Sequence, residues 1–147
     1  MIITCGIYLF NNQDKLLIGH PTNHKWTMWT VPKGRVDEGE THHFSVAKRE
    51  LWEEANINLD QFRDKVTKVT EFDLVRYKAT NKYLKGFLVK VNHSFDNHDI
   101  KCDSMVMRDG KPAFPEIDAF KWVTIEEAKV LLHESQLLNL DLCQDLI

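Results

Sequence analysis

Residues 49–54 read "RELWEE" and lie inside the run "FSVAKRELWEEANI" (44–57). Phe44, Ala47, Leu51 and Ala55 recur at i, i+3, i+7 and i+11, which predicts a helix with one apolar stripe facing a core. Asn56 ends it, because asparagine, after glycine, best tolerates the left-handed C-terminal cap. Residues three and four apart share a helix face, so Glu50, Glu53 and Glu54 are gathered together. They fall near the helix C-terminus, where the macrodipole already disfavours negative charge. Each like-charge pair costs roughly 0.2–0.5 kcal/mol, more when partly buried. For stability alone the pattern is unfavourable. A divalent cation reverses the sign. Mg²⁺ takes carboxylate oxygens, keeps several waters and shares the rest of its shell with substrate phosphates. The competing reading is a solvated acidic face with Lys48 and Arg49 as local partners.

The segment before the helix, "VPKGRVDEGE" (31–40), favours the ion. Gly34 has no side chain, so its carbonyl can approach a metal or phosphate closely. Lys33 and Arg35 flank it and suit phosphate oxygens. Glu40 adds a carboxylate ahead of the helix. Carboxylates, a glycine loop and phosphate-binding cations in sequence describe metal-assisted attack of water on a phosphate.

The flanks predict the frame. Residues 2–10 and 15–20 read as strands joined by a turn at 11–14, and Pro32-Lys33-Gly34 reads as a turn opening a polar loop over 34–42. Residues 66–77 and 82–91 read as strands joined near Ala79–Asn81. Residues 92–112 form a long polar stretch, and 116–123 alternate like a strand. Thr124 starts a helix with Glu127 at the capping-box position, and Leu137 to Leu146 read as a last helix. Strands with few intervening helices imply a mixed sheet and an α+β or three-layer domain. The 147 residues suit one domain, 1–147, with a real core.

Composition narrows the function. A net charge of −3 argues against a duplex nucleic-acid grip. A nucleotide or one end of an RNA remains a fitting substrate. No apolar run reaches the roughly 18 residues of a membrane span, and the start lacks a signal-peptide pattern. Cys5, Cys102 and Cys143 are odd in number and far apart, which suggests neither a disulfide framework nor a cysteine zinc site. Reduced thiols place the chain in cytoplasm, that of a host if the source is a virus. The sequence leaves the oligomeric state open.

Residues Gly34 to Ile57 resemble the Nudix box of the Nudix hydrolases, G-x5-E-x7-R-E-U-x-E-E-x-G-U, where U is bulky and aliphatic. Gly34 and Glu40 match its first part; Arg49, Glu50, Leu51, Glu53, Glu54 and Ile57 match the rest. Two positions depart. Eight residues, Thr41 to Lys48, separate Glu40 from Arg49 where the pattern has seven, which a bulge or a longer first turn absorbs. Asn56 replaces the box glycine. The resemblance implies an α/β/α sandwich, a mixed sheet flanked by helices. It implies hydrolysis of a nucleoside diphosphate linked to another moiety, with Mg²⁺ (or Mn²⁺) as cofactor. Glu50, Glu53 and Glu54 would bind the ions and the Gly34 carbonyl would complete the shell. Glu50 or another carboxylate would act on the water, and Arg49 would hold a glutamate by ion pairing. Glu116 resembles a further metal-side glutamate of that family.

The "PKGRVDEGE" loop is most similar to that of asymmetric diadenosine tetraphosphate hydrolases. Phe120 and Tyr77 are candidate base-stacking residues. RNA 5′-pyrophosphohydrolases share much of this pattern and form the alternative, with RNA as the partner. A non-catalytic nucleotide-binding domain is a third reading, against which the intact R-E-x-x-E-E core speaks.

Overall fold

Strand β1 (Ile2–Phe10) is buried on both faces from Cys5 onward, so its side chains divide between two cores by period two. Cys5, Ile7 and Leu9 face one cluster; Tyr8 and Phe10 face the other. The computed structural model describes residues 1–78 and 80–147. Ala79, placed by the sequence in a turn, lies outside the described residues.

The remaining strands are β2 (Leu16–Pro21), β3 (Lys33–Arg35), β4 (Val66–Glu71), β5 (Val75–Arg76), β6 (Lys82–Val91), β7 (Met105–Arg108), β8 (Lys111–Pro115) and β9 (Ile117–Val123). The main sheet runs β4-β6-β1-β2-β9, with β3 on β1 and β5 on β6. It is mixed: β1 and β6 are parallel, and the other pairs are antiparallel. Helix α1 (His43–Ala55) covers one face through Val46, Ala47 and Leu51. Helices α2 (Ile125–Leu131) and α3 (Leu137–Gln144) cover the other through Ala128, Leu140 and Cys143. The result is the three-layer α+β arrangement expected from the pattern of elements.

One edge of β1 is shared, and this creates the site. β2 pairs with β1 at Phe10 and then swings away to β9. β3 takes over the same edge at Gly6, Cys5 and Thr4. The chain between β2 and β3 is therefore pushed outward, leaving a groove at the point of divergence.

Three elements correct the sequence reading. Lys33–Arg35 is a strand rather than a turn, held by main-chain pairing that leaves no side-chain period to read. The expected single strand over 66–77 breaks at Phe72–Leu74, because Phe72 turns into the core. The polar stretch 92–112 contains a short 3₁₀ turn (Asn97–Asp99) and most of the β7–β8 hairpin. Its tip is Asp109-Gly110, both at positive φ (52° and 74°), the turn chemistry of a tight hairpin.

The capping box forms as expected: Thr124 Oγ1 accepts from the Glu127 N–H at 3.2 Å, and Glu127 Oε1 from the Thr124 N–H at 3.0 Å. Thr124→Ala is expected to destabilise the fold by about 1 kcal/mol, read as a fall of about 2–4 °C in thermal midpoint.

Candidate active site

Helix α1 presents Glu50, Glu53 and Glu54 at its C-terminal half, and β3 lies against them. Glu50 and Glu54 are buried, at 8% and 6% exposure, while Glu53 is half-exposed. Arg49 gathers the acids. Its Nη1 donates to Glu50 Oε1 at 3.0 Å and to Glu53 Oε1 at 3.1 Å. Its Nη2 and Nε donate to the two oxygens of Glu40 at 2.9 and 3.3 Å. Asp37 approaches the same guanidinium at 3.4 Å. Glu40 also accepts from the Asp37 N–H at 2.8 Å, which closes the loop onto the helix. Glu40 keeps its contact with Arg49 despite the extra residue between them, and α1 runs from His43 to Ala55 with His42 as its N-cap. Asn56 caps it at φ 60°, as predicted.

Gly34 is required sterically. A Cβ built there would lie 1.8 Å from Glu50 Cδ and 2.0 Å from Glu50 Oε2. The carboxylate occupies the space of the missing side chain. The adjacent Lys33 N–H donates to Glu54 Oε1 at 3.1 Å. β3 therefore shapes both buried acids with main chain, which is why a turn-like "PKG" has to be extended.

Burial pushes Glu50 up to about 7 against the pull of Arg49, with repulsion from Glu53 and Glu116 adding to it. Burial likewise pushes Glu54 up to about 8; the Lys33 N–H and charge oppose the rise, and Glu50 and Glu116 add to it. Glu116, at the β8–β9 junction, joins the cluster electrostatically and shares a recess with Glu54 and Lys33.

Among the described residues, no three His, Cys, Asp or Glu side chains already stand as a ligand set. The carboxylates are instead divided between Arg49 and the Lys33 N–H. The donor chemistry nonetheless fits a hard divalent cation, since two buried carboxylates keep raised values even with Arg49 beside one and Lys33 beside the other. Glu50, Glu54 and Glu116 are the residues able to hold such an ion, with Glu53 joining if it leaves Arg49.

The groove has two recesses of about 440 Å³ each, and Lys33 lines both. One holds Glu54, Glu116, Thr22, Arg108 and Phe114. The other holds Tyr77, Lys82 and His133, with Tyr77 and His133 rings 6.1 Å apart. The structure thus brings Lys33, Tyr77 and Glu116 to one groove. Arg35 is exposed on β3, opposite Thr4. Phe120 packs toward the α1-side core and lines a different recess with Trp122 and Ile100. Sequence reasoning missed Arg108, Phe114 and the anchoring role of Glu40. The Asp109-Gly110 turn was the one available signal for the first two.

A family model described as NUDIX domain matches residues 2–141. The RNA pyrophosphohydrolase of Psychrobacter sp. (strain PRwf-1) is 30% identical over 132 residues, covering 81% of this chain and 68% of that one. The RNA pyrophosphohydrolase of Roseobacter denitrificans is 36% identical over 53 residues, 36% of this chain and 32% of that one. Among solved structures, a C. elegans Ap4A hydrolase binary complex superposes with a TM-score of 0.69 at 23% identity, over 97% of this chain and 96% of that one. That likeness establishes the fold.

Gly34→Ala is expected to cost about 1–3 kcal/mol by overpacking against Glu50, read in thermal unfolding. The folded-state values of Glu50 and Glu54 exceed those of the unfolded chain, so their protonated forms favour folding. That contribution is complete below the ordinary carboxyl range and is lost as pH rises through about 7 and about 8. Metal-free protein is therefore expected to lose stability as pH rises from about 4.5 to about 8, and Glu54→Gln is expected to flatten the decline.

Proposed function

The chain belongs to the NUDIX family, and we propose that it is a Mg²⁺-dependent hydrolase of dinucleoside polyphosphates such as diadenosine tetraphosphate, acting as one domain over residues 1–147. The observation that carries this reading is the position of Lys33. It stands beside the acidic cluster where two recesses meet, with Phe114 in one and Tyr77 in the other. That geometry suits a phosphate chain across the middle and a planar group at either end.

In this reading Lys33 binds phosphate oxygens by charge, and Arg108 contacts the distal part of the chain. Glu50, or a neighbouring carboxylate, takes the proton of the attacking water. Arg49 keeps Glu50 and Glu53 in place without touching substrate. Glu50, Glu54 and Glu116 would hold the cation beside the backbone of Gly34, with Glu53 turning from Arg49 to join them. A bound divalent cation neutralises phosphate charge and eases ionisation of water. Three free cysteines fit a reducing, cytoplasmic setting.

A second reading, removal of phosphates from RNA 5′ ends, is favoured by the Psychrobacter relative. The same acids and Lys33 serve it, with one recess taking the first base. Incubation with Mg²⁺ and diadenosine tetraphosphate, beside a 5′-triphosphorylated RNA oligomer, distinguishes the two. ATP plus AMP as products are expected. An intact dinucleotide with phosphate or pyrophosphate released from RNA moves the assignment to RNA ends. Glu53→Gln is expected to lower turnover by at least about 100-fold. Its metal-free stability should stay within about 0.5 kcal/mol, because the exposed Glu53–Arg49 pair contributes little. Unchanged turnover in this variant contradicts the cation assignment.

A further inference from the structure

Trp52 sits inside the acidic run that defines the family, yet the catalytic groove does not use it. Its ring is 53% exposed on α1, at the rim of a separate recess of about 550 Å³. That volume lies within the range of about 300–1,000 Å³ typical of small-molecule sites. Phe62 and Phe95 form further aromatic walls, their ring centroids 4.9 Å apart, and Ile57 and Ile100 line the recess with them. Asn58 and Gln61 supply amides, and Asp96 and Asp99 supply carboxylates. Neither aspartate is in an ion pair among the described residues. Asp96 caps the 3₁₀ turn through His98 N–H, while the Asp99 main-chain carbonyl accepts from Asn56 Nδ2, which leaves the Asp99 carboxylate free of that task.

This chemistry selects a ligand. Among the described residues no lysine or arginine lines the recess, so phosphate is disfavoured inside it. Phe62 and Phe95 pack on each other, and Phe95 also stacks on Trp122. Trp52, by contrast, has no aromatic partner among the described residues and offers a face on which a flat ring can stack. The Asp99 carboxylate, unlike that of Asp96, is free to accept paired N–H donors, and a carboxylate takes two parallel donors well. Guanine offers such a pair, N1–H beside its amino group, on one edge of a stackable ring. Adenine offers one amino group flanked by acceptors, which face the carboxylate unfavourably.

The recess is also tied to the catalytic acids. The segment that carries Asp96 and Asp99 continues along the C-terminal end of α1. There the Lys101 N–H donates to Ala55 O at 3.3 Å and the Asp103 N–H to Glu53 O at 3.0 Å. The next carbonyl, Ser104 O, accepts from the Glu116 N–H at 2.9 Å. One strap therefore links the recess wall to the backbones of Glu53 and Glu116.

We propose that the Trp52–Phe95–Asp99 recess is a second binding site, for a guanine base, and that the Asp96–Ser104 strap relays its occupancy to the catalytic acids. The base comes from a free nucleoside or from an RNA chain whose phosphates stay outside. The binding half stands whatever the catalytic groove hydrolyses; the relay half rests on the proposed hydrolase.

Calorimetry on the full chain, with chelator and no substrate, tests it. Guanosine, adenosine and the RNA dinucleotide GpG are titrated into wild type, Trp52→Ala and Asp99→Asn. Guanosine is expected to bind more tightly than adenosine, and each variant is expected to weaken binding by about tenfold or more. Trp52 and Asp99 are exposed, so both variants should keep the wild-type thermal midpoint. Tighter binding of GpG than of guanosine assigns the base to RNA; equal binding assigns it to a free nucleoside. No binding of either guanine ligand by wild type, or wild-type binding by either variant, overturns the site. Saturating guanosine is expected to change wild-type turnover by about twofold or more and Asp99→Asn turnover not at all. Unchanged wild-type turnover at saturation overturns the relay.

Discussion

The guanidinium of Arg49 lies among four carboxylates, those of Asp37, Glu40, Glu50 and Glu53, at 2.9 to 3.4 Å. One cation thereby holds together a loop, a helix and two of the three clustered acids of α1. Without it, α1 would carry clustered negative charge at the end its dipole least tolerates. With it, the repulsion read from the sequence is spent against a shared partner, and the acids keep fixed positions. Glu54 is the exception, since the Lys33 main chain holds it and Arg49 does not. Glu50 and Glu54 remain buried and undercompensated, a state retained for a ligand more readily than for stability.

The divergence of β2 from β1 places a groove beside those acids. Because β3 occupies the vacated edge of β1, Lys33 and Gly34 arrive beside the helix on main-chain hydrogen bonds. Gly34 lets the Glu50 carboxylate take the place of a side chain. Lys33 reaches both recesses from the same strand. Sheet topology, more than the acidic helix alone, explains why Lys33 and the carboxylates share one place.

What the sequence made legible follows from side-chain period. Helix α1, its Asn56 cap, the buried strands and the Thr124 capping box each have a local signature, and each formed where expected. β3 escaped because three residues of main-chain pairing carry no alternation. The β7–β8 hairpin escaped because its polar, exposed residues resemble a loop, although Asp109-Gly110 marked its tip. The acids and Gly34 were legible as a group through their spacing. Arg108 and Phe114 reach the groove only through tertiary placement of the hairpin. Glu40 was ambiguous by spacing alone, and the structure pairs it with Arg49 in spite of the additional residue. Phe120 suits stacking by type, yet strand alternation turns it toward the core and away from Lys33.

The central claim is that the acids of α1 are gathered to hold a divalent cation. The most direct test is electron paramagnetic resonance of free Mn²⁺ titrated with wild-type protein and with Glu54→Gln at neutral pH, without substrate. The account predicts loss of the free Mn²⁺ signal with wild type and a much weaker loss with Glu54→Gln, while both proteins stay folded. Mn²⁺ left free by wild type, or bound equally by the two proteins, would contradict it.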